Sequence, residues 1–203
     1  DIDLKVRGKS YSILKKNNIR VKKGLLKKDA QNLYKSYFFN RKKKLPYVIG
    51  KIAVSKNGII YSEISKKITD ETSDKLTHYL RLKSDGILIS VKTLNIDNPK
   101  LNCRLEDFSQ LSPKRIILDK NLEIDLKSYI AKSIKNKNTI IFHNSTDRSK
   151  IKILKKRGTI LIKQSTDRYK NLNLKKTLKD LFKLGIRNLL VEGGDILTKN
   201  FLQ

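Results

Sequence analysis

Asn188-Leu-Leu-Val-Glu-Gly-Gly-Asp-Ile-Leu-Thr198 is the stretch that decides how this chain folds. An apolar run stops at a carboxylate, and two glycines then open a segment compatible with a helix. The pattern predicts a buried strand over residues 188–191, a tight turn, and a helix from about residue 195. The free N–H groups at such a helix start favour a phosphate or pyrophosphate. Lacking Cβ, the glycines let an anionic group come close to the main chain, and they equally suit an ordinary tight turn.

Upstream, Leu45-Pro-Tyr-Val-Ile-Gly-Lys-Ile-Ala-Val-Ser-Lys-Asn-Gly58 reads as a strand interrupted by Lys51 and closed by a turn in which Asn57-Gly58 supplies positive φ. Two placements explain a lysine inside an apolar run. One is an edge strand with Lys51 facing water. The other is a partly buried ammonium facing a polar ligand or Glu192. Thr69 has the position of an N-cap for a helix that carries Leu76, Tyr79 and Leu80 on one face, and residues 86–90 form a buried strand. Further short strands are expected at residues 114–118, 138–142 and 159–162. Helices are expected at 27–40, 147–157 and 174–184, and loops at 95–98 and 164–173. Strands alternating with helices give an α/β fold with a mainly parallel sheet and helices on both faces. Ligands of such sheets sit at the carboxyl ends of the strands.

Composition bounds the function. The formal charge is +28 and the isoelectric point about 10.1, which invites a nucleic-acid reading because clustered Lys and Arg release counterions from phosphate. The excess is mostly lysine spread along the chain, and no basic stretch is interleaved with aromatic residues for base stacking. Lys42-Lys43-Lys44 and Lys155-Lys156-Arg157 read as solvated faces and helix ends. No apolar run approaches the roughly 20 residues of a membrane span. A single cysteine, Cys103, argues against a disulfide scaffold and suits a reducing cytoplasm. With His78 and His143 the only histidines, no metal-ligand spacing is present, so no metal residue is assigned.

Taken together, these blocks resemble the reductase domain of the bifunctional riboflavin biosynthesis deaminase/reductase. The family's lysine strand and glycine turn match residues 51–58, and its serine-containing cap region matches 63–69. Its Leu-Arg helix end matches Leu80-Arg81, and its loop from a threonine to an Asp-x-Pro-x-Leu-x-x-Arg element matches 93–104. Its arginine-led strand matches 115–119, and its Val-Glu-Gly-Gly-x-x-Leu element matches 191–197. The matches run in order over about 150 residues. Residues 1–44 resemble the tail of the family's zinc deaminase domain and a linker helix, with residues 45–203 as the reductase domain. The zinc-binding residues of a deaminase are missing, so zinc would belong only to a part outside this sequence. With no methionine and an end at Gln203 inside an expected helix, the chain reads as a piece cut at both ends.

The resemblance implies a dihydrofolate-reductase-like fold in a cytoplasmic enzyme that forms a homo-oligomer when full length, with no nucleic acid or membrane partner. The implied reaction is NADPH-dependent reduction of 5-amino-6-(5-phosphoribosylamino)uracil, a phosphorylated pyrimidine. It assigns Lys51 and Glu192 to catalysis, and Ser65, Arg81, Leu101, Arg104 and Glu192 to the substrate. NADPH falls to Ala53, Lys67, Thr93, Asp97, Lys120, Gly194, Asp195, Ile196, Leu197 and Thr198. Four residues depart from the family pattern: Lys67 replaces a tryptophan, Asn57 and Asn98 each an aspartate, and Asp195 a proline. Two other readings stay open, a catalytically silent partner with this fold and a basic module for RNA or another polyanion.

Overall fold

A computed structural model describes residues 2–55, 58 and 69–202, with residues 195 and 196 described by their backbone. Its centre is a six-stranded sheet: β1 (Tyr47–Gly50), β2 (Gly86–Ser90), β3 (Lys114–Leu118), β4 (Thr139–His143), β5 (Ile160–Lys163) and β6 (Asn188–Val191). The spatial order is β1-β6-β2-β3-β4-β5, and every pairing is parallel. From β2 the chain steps outward strand by strand to β5, then returns to insert β6 between β1 and β2. The carboxyl ends of β1, β6, β2 and β3 therefore stand side by side.

Nine α-helices are described: α1 (Lys9–Lys16), α2 (Lys27–Leu33), α3 (Lys35–Lys43), α4 (Glu71–Leu82), α5 (Val91–Asp97), α6 (Tyr129–Lys132), α7 (Arg148–Lys156), α8 (Leu174–Lys183) and α9 (Asp195–Leu202). Alternate strand residues face opposite sides of the sheet. Ile87, Ile89, Ile117, Ile141 and Leu190 pack with Leu94 of α5, Ile130 of α6 and Leu154 of α7. Leu88, Ile116, Ile140, Leu189 and Val191 pack on the other side with Leu181 of α8 and Leu197 of α9. Both faces are thus covered by helices, and the near-continuous apolar strands follow from burial on both sides. Each such side chain contributes roughly 1.5–3 kcal/mol.

Several local expectations are corrected. The N-cap of α4 is Asp70, whose carboxylate accepts from Ser73 N at 2.8 Å; Thr69 instead donates its hydroxyl to Asp74 at 2.8 Å. Residues 95–97 belong to α5 because Ser90 caps that helix, accepting from Thr93 N at 3.2 Å. The expected helix over 27–40 is two helices meeting at Tyr34. β1 is a four-residue edge strand, shorter than the apolar run implied, although Lys51 N still donates to Val191 O at 2.9 Å. Gly58 has the expected positive φ, 83°, and donates to Ser55 O.

Candidate active site at the carboxyl ends of the strands

Two cavities open where the four strands end. The larger, about 900 Å³, is bounded by Thr93 and Asp97 of α5, Lys120 beyond β3, Asn171, and Gly194 and Leu197 at the start of α9. The smaller, about 270 Å³, is bounded by Lys51 and Ala53 beyond β1, Leu101, and Glu192 with Gly194 beyond β6. Thr93, Asp97 and Gly194 line both, so the two spaces meet at these three residues. Burial raises the Asp97 carboxyl above the ordinary aspartate range.

The Glu-Gly-Gly turn has separate reasons for its glycines, and neither has a positive φ. A Cβ on Gly193 would stand 2.7 Å from Leu197 Cδ2, so this glycine lets α9 close onto the sheet. A Cβ on Gly194 would meet nothing within 4 Å, which leaves bare backbone facing the shared space. Glu192 N donates to Leu88 O at 3.1 Å and fixes the turn against β2.

Glu192 is held by Arg81. Nε and Nη2 of the guanidinium each donate to one carboxylate oxygen at 2.7 Å, and Nη1 donates to Asn102 O at 3.1 Å. Both side chains of the pair are 11% exposed. This bears on two expectations. Lys51 shares the small cavity with Glu192, but the ion-pair partner of the carboxylate is Arg81. Arg81, expected at a substrate phosphate, has its fork occupied by Glu192.

Arg104 is exposed beyond the small cavity and lies against His78 of α4. Lys120 lines the large cavity and donates to Lys170 O at 3.2 Å. Thr198 sits one turn into α9 with its hydroxyl donating to Gly194 O at 3.2 Å. Asp195 and Ile196 form the first turn of α9, and Ser65 and Lys67 lie outside the described residues. The structure thus brings together Lys51, Ala53, Thr93, Asp97, Leu101, Glu192 and Gly194, with Ala53 on the side of Lys51 rather than in the larger cavity. Sequence reasoning missed His78 and the Asn102 carbonyl. The i, i+3 spacing of His78 and Arg81 on one helix face was the available signal.

The larger cavity has the volume of a small-molecule site. Its walls mix apolar Leu118, Leu172 and Leu197 with the cations Lys92 and Lys120, the carboxylates Asp97 and Glu123 and the amides Asn171 and Asn200, a set that offers an extended ligand apolar contact, cations for phosphate and acceptors for hydroxyls.

Comparison with known proteins agrees with this geometry. The model of the RibD C-terminal domain family matches residues 46–203. The riboflavin biosynthesis protein RibD of Actinobacillus pleuropneumoniae is 31% identical over 200 residues, covering 98% of this chain and 52% of that protein. The 2,5-diamino-6-ribosylamino-4(3H)-pyrimidinone 5′-phosphate reductase of Debaryomyces hansenii is 32% identical over 147 residues, covering 67% of this chain and 60% of that protein. Among solved structures, RibD of Acinetobacter baumannii superposes with a TM-score of 0.78 at 27% identity, covering 97% of this chain and 53% of its own. The riboflavin biosynthesis reductase of Saccharomyces cerevisiae gives 0.58 at 26%, covering 82% and 72%. The dihydrofolate-reductase-like fold is the one these reductases share. The chain spans about half the length of the curated RibD relatives matched along nearly all of it.

Proposed function

Because the chain belongs to the RibD C-terminal domain family, we propose that it carries the reductase activity of riboflavin biosynthesis, reducing the phosphoribosylamino group of 5-amino-6-(5-phosphoribosylamino)uracil to a ribitylamino group with NADPH. The observation that carries this reading is the junction of the two cavities at Thr93, Asp97 and Gly194. A long anionic cofactor in the larger space and a compact substrate in the smaller one would meet there, as a direct transfer between two bound molecules requires.

The ribosylamine ring opens to an imine, whose former anomeric carbon takes the hydride that NADPH would supply when bound. The imine nitrogen then takes a proton, leaving a secondary amine and a free ring-oxygen hydroxyl. Glu192, clamped on both oxygens by Arg81, acts as an ionised carboxylate that orients ribose hydroxyls. Lys51, which follows the last β1–β6 pair and so stands beside Glu192, is the donor that protonates the nitrogen. Leu101, buried and at φ 49°, forms the floor beneath the sugar. The bare backbone at Gly194 and the first turn of α9 would hold the cofactor's diphosphate, with Lys120 adding a cation.

The test follows loss of reduced-nicotinamide absorbance with the aminouracil substrate in wild type, Glu192→Gln and Lys51→Ala. The reading expects turnover in wild type and a loss of roughly 100-fold or more in each variant. A folded wild-type protein with no turnover and no NADPH binding would replace it with the silent-partner reading. Turnover confined to the 2,5-diamino-pyrimidinone phosphate, the substrate in the Debaryomyces hansenii relative's name, would keep the reductase and change its substrate.

A further inference from the structure

The segment that follows α5 is pinned to α4 by three consecutive residues. Asn102 O accepts from Arg81 Nη1 at 3.1 Å, Cys103 Sγ donates to His78 O at 3.6 Å, and Arg104 meets the His78 imidazole twice. Both contacts to the ring are 3.2 Å, from Arg104 N to Nδ1 and from Arg104 Nε to Nε2. Both approaching groups are donors, while a neutral imidazole has one N–H and one lone pair, so only one contact is a hydrogen bond. With its lone pair on Nε2 the ring accepts from Arg104 Nε–H, and with its lone pair on Nδ1 it accepts from Arg104 N–H, so in either neutral tautomer the imidazole holds Arg104. Held by this edge, Arg104 keeps both Nη groups without a partner among the described residues.

We propose that His78 is a positioning residue: as a neutral acceptor it aims the Arg104 guanidinium so that its Nη edge takes the phosphate of the substrate. The proposal rests on the reductase reading for the identity of the phosphorylated ligand. It goes beyond that reading in giving a buried histidine outside the cavities a role in binding. An imidazolium has no lone pair, so protonation removes the acceptor and adds a cation to the two already there. The charged groups facing the ring are Arg81 from α4, Arg104 from the loop and Glu192 from the end of β6. Burial first, and then the two guanidinium groups, hold the imidazole below the ordinary histidine range, which keeps the acceptor available near neutral pH.

The test compares wild type, His78→Gln and His78→Leu. Gln offers a carbonyl acceptor within similar reach that does not titrate, and Leu offers none. The measurements are KM and kcat for the phosphoribosylaminouracil across pH, ribose 5-phosphate binding by calorimetry, and thermal melting. His78→Leu is expected to raise KM, and to weaken ribose 5-phosphate binding, roughly tenfold with a much smaller change in kcat. His78→Gln is expected to restore most of the affinity and to remove the rise in KM at low pH that exceeds the phosphate's own titration. Wild-type KM and ribose 5-phosphate affinity in His78→Leu would overturn the proposal, as would a Gln variant with wild-type melting that fails to rescue. If the aminouracil is not turned over by any form, the reductase reading fails, while the ribose 5-phosphate measurement still decides the role of His78.

Discussion

The Arg81 guanidinium and the Glu192 carboxylate, 111 residues apart in sequence, meet edge to edge through two hydrogen bonds of 2.7 Å and with 11% exposure on each side. A pair this buried is weak evidence for net stabilisation against an apolar replacement, but breaking one half strands a charge. Arg81→Leu is therefore expected to lower unfolding free energy by about 3–5 kcal/mol in urea titrations. Arg81→Lys returns the charge without the fork and should recover only part. An unchanged midpoint in Arg81→Leu would mean that Glu192 finds another partner, with Lys51 at the end of the neighbouring strand as the first candidate.

The two glycines of the turn should separate stability from binding. Gly193→Ala drives a methyl into Leu197 at 2.7 Å and 2.9 Å, forcing α9 away from the sheet, so a loss of about 1–3 kcal/mol is expected in thermal or urea unfolding. Gly194→Ala meets nothing and should melt as wild type does. Its methyl would enter the space shared by the two cavities, so under the reductase reading NADPH affinity measured by fluorescence should fall. Equal melting temperatures for the two variants would contradict the packing argument.

Much of this was legible in the sequence, for identifiable reasons. Strands buried on both faces are written as unbroken apolar runs, so residues 86–90 and 114–118 could be bounded to the residue. The carboxyl-end location of the site follows from parallel topology, and Lys51, Thr93, Asp97, Glu192 and Gly194 converge there. What was not legible depends on long-range pairing. Nothing in the spacing of Arg81 and Glu192 says that they choose each other over a ligand and Lys51, because that depends on β6 inserting beside β2. Likewise, Asp70 outcompetes Thr69 as the cap because its carboxylate reaches Ser73 N, while Thr69 is drawn to Asp74. These are choices between near-equivalent neighbours, made by geometry.

Acid should destabilise the fold through its two histidines. Burial is the main cause lowering both His78 and His143 below the ordinary value of 6.5. The unfolded chain then binds protons that the folded chain resists. The histidine contribution is complete above about pH 6.5 and is lost as pH falls through the lowered folded values. Asp119 and Asp97 carry raised values, and so act with the opposite sign at more acid pH. Melting temperatures measured from pH 8 downward should therefore decline below about pH 6.5. His143→Asn, which cannot titrate, should reduce that decline, and an unchanged slope in this variant would assign it to His78 or to other groups.

Asp119 couples the sheet to the wall of the larger cavity. Fully buried at the end of β3, its carboxylate accepts from Glu123 N at 2.7 Å and Ile124 N at 2.9 Å. The turn it closes carries Leu122 at φ 59°, a strained backbone for a leucine, yet keeps that side chain 2% exposed in the core. The same turn presents Lys120, Asn121 and Glu123 to the cavity. Asp119→Ala leaves two inward-facing N–H groups without acceptors, at roughly 1–3 kcal/mol each where burial is complete. The turn should relax out of the strained conformation, so stability and NADPH affinity should fall together, as read by urea unfolding and by fluorescence titration. Asp119→Asn keeps one carbonyl acceptor and should lie between. Wild-type cofactor affinity in a destabilised Asp119→Ala protein would show that the cavity wall does not depend on this carboxylate.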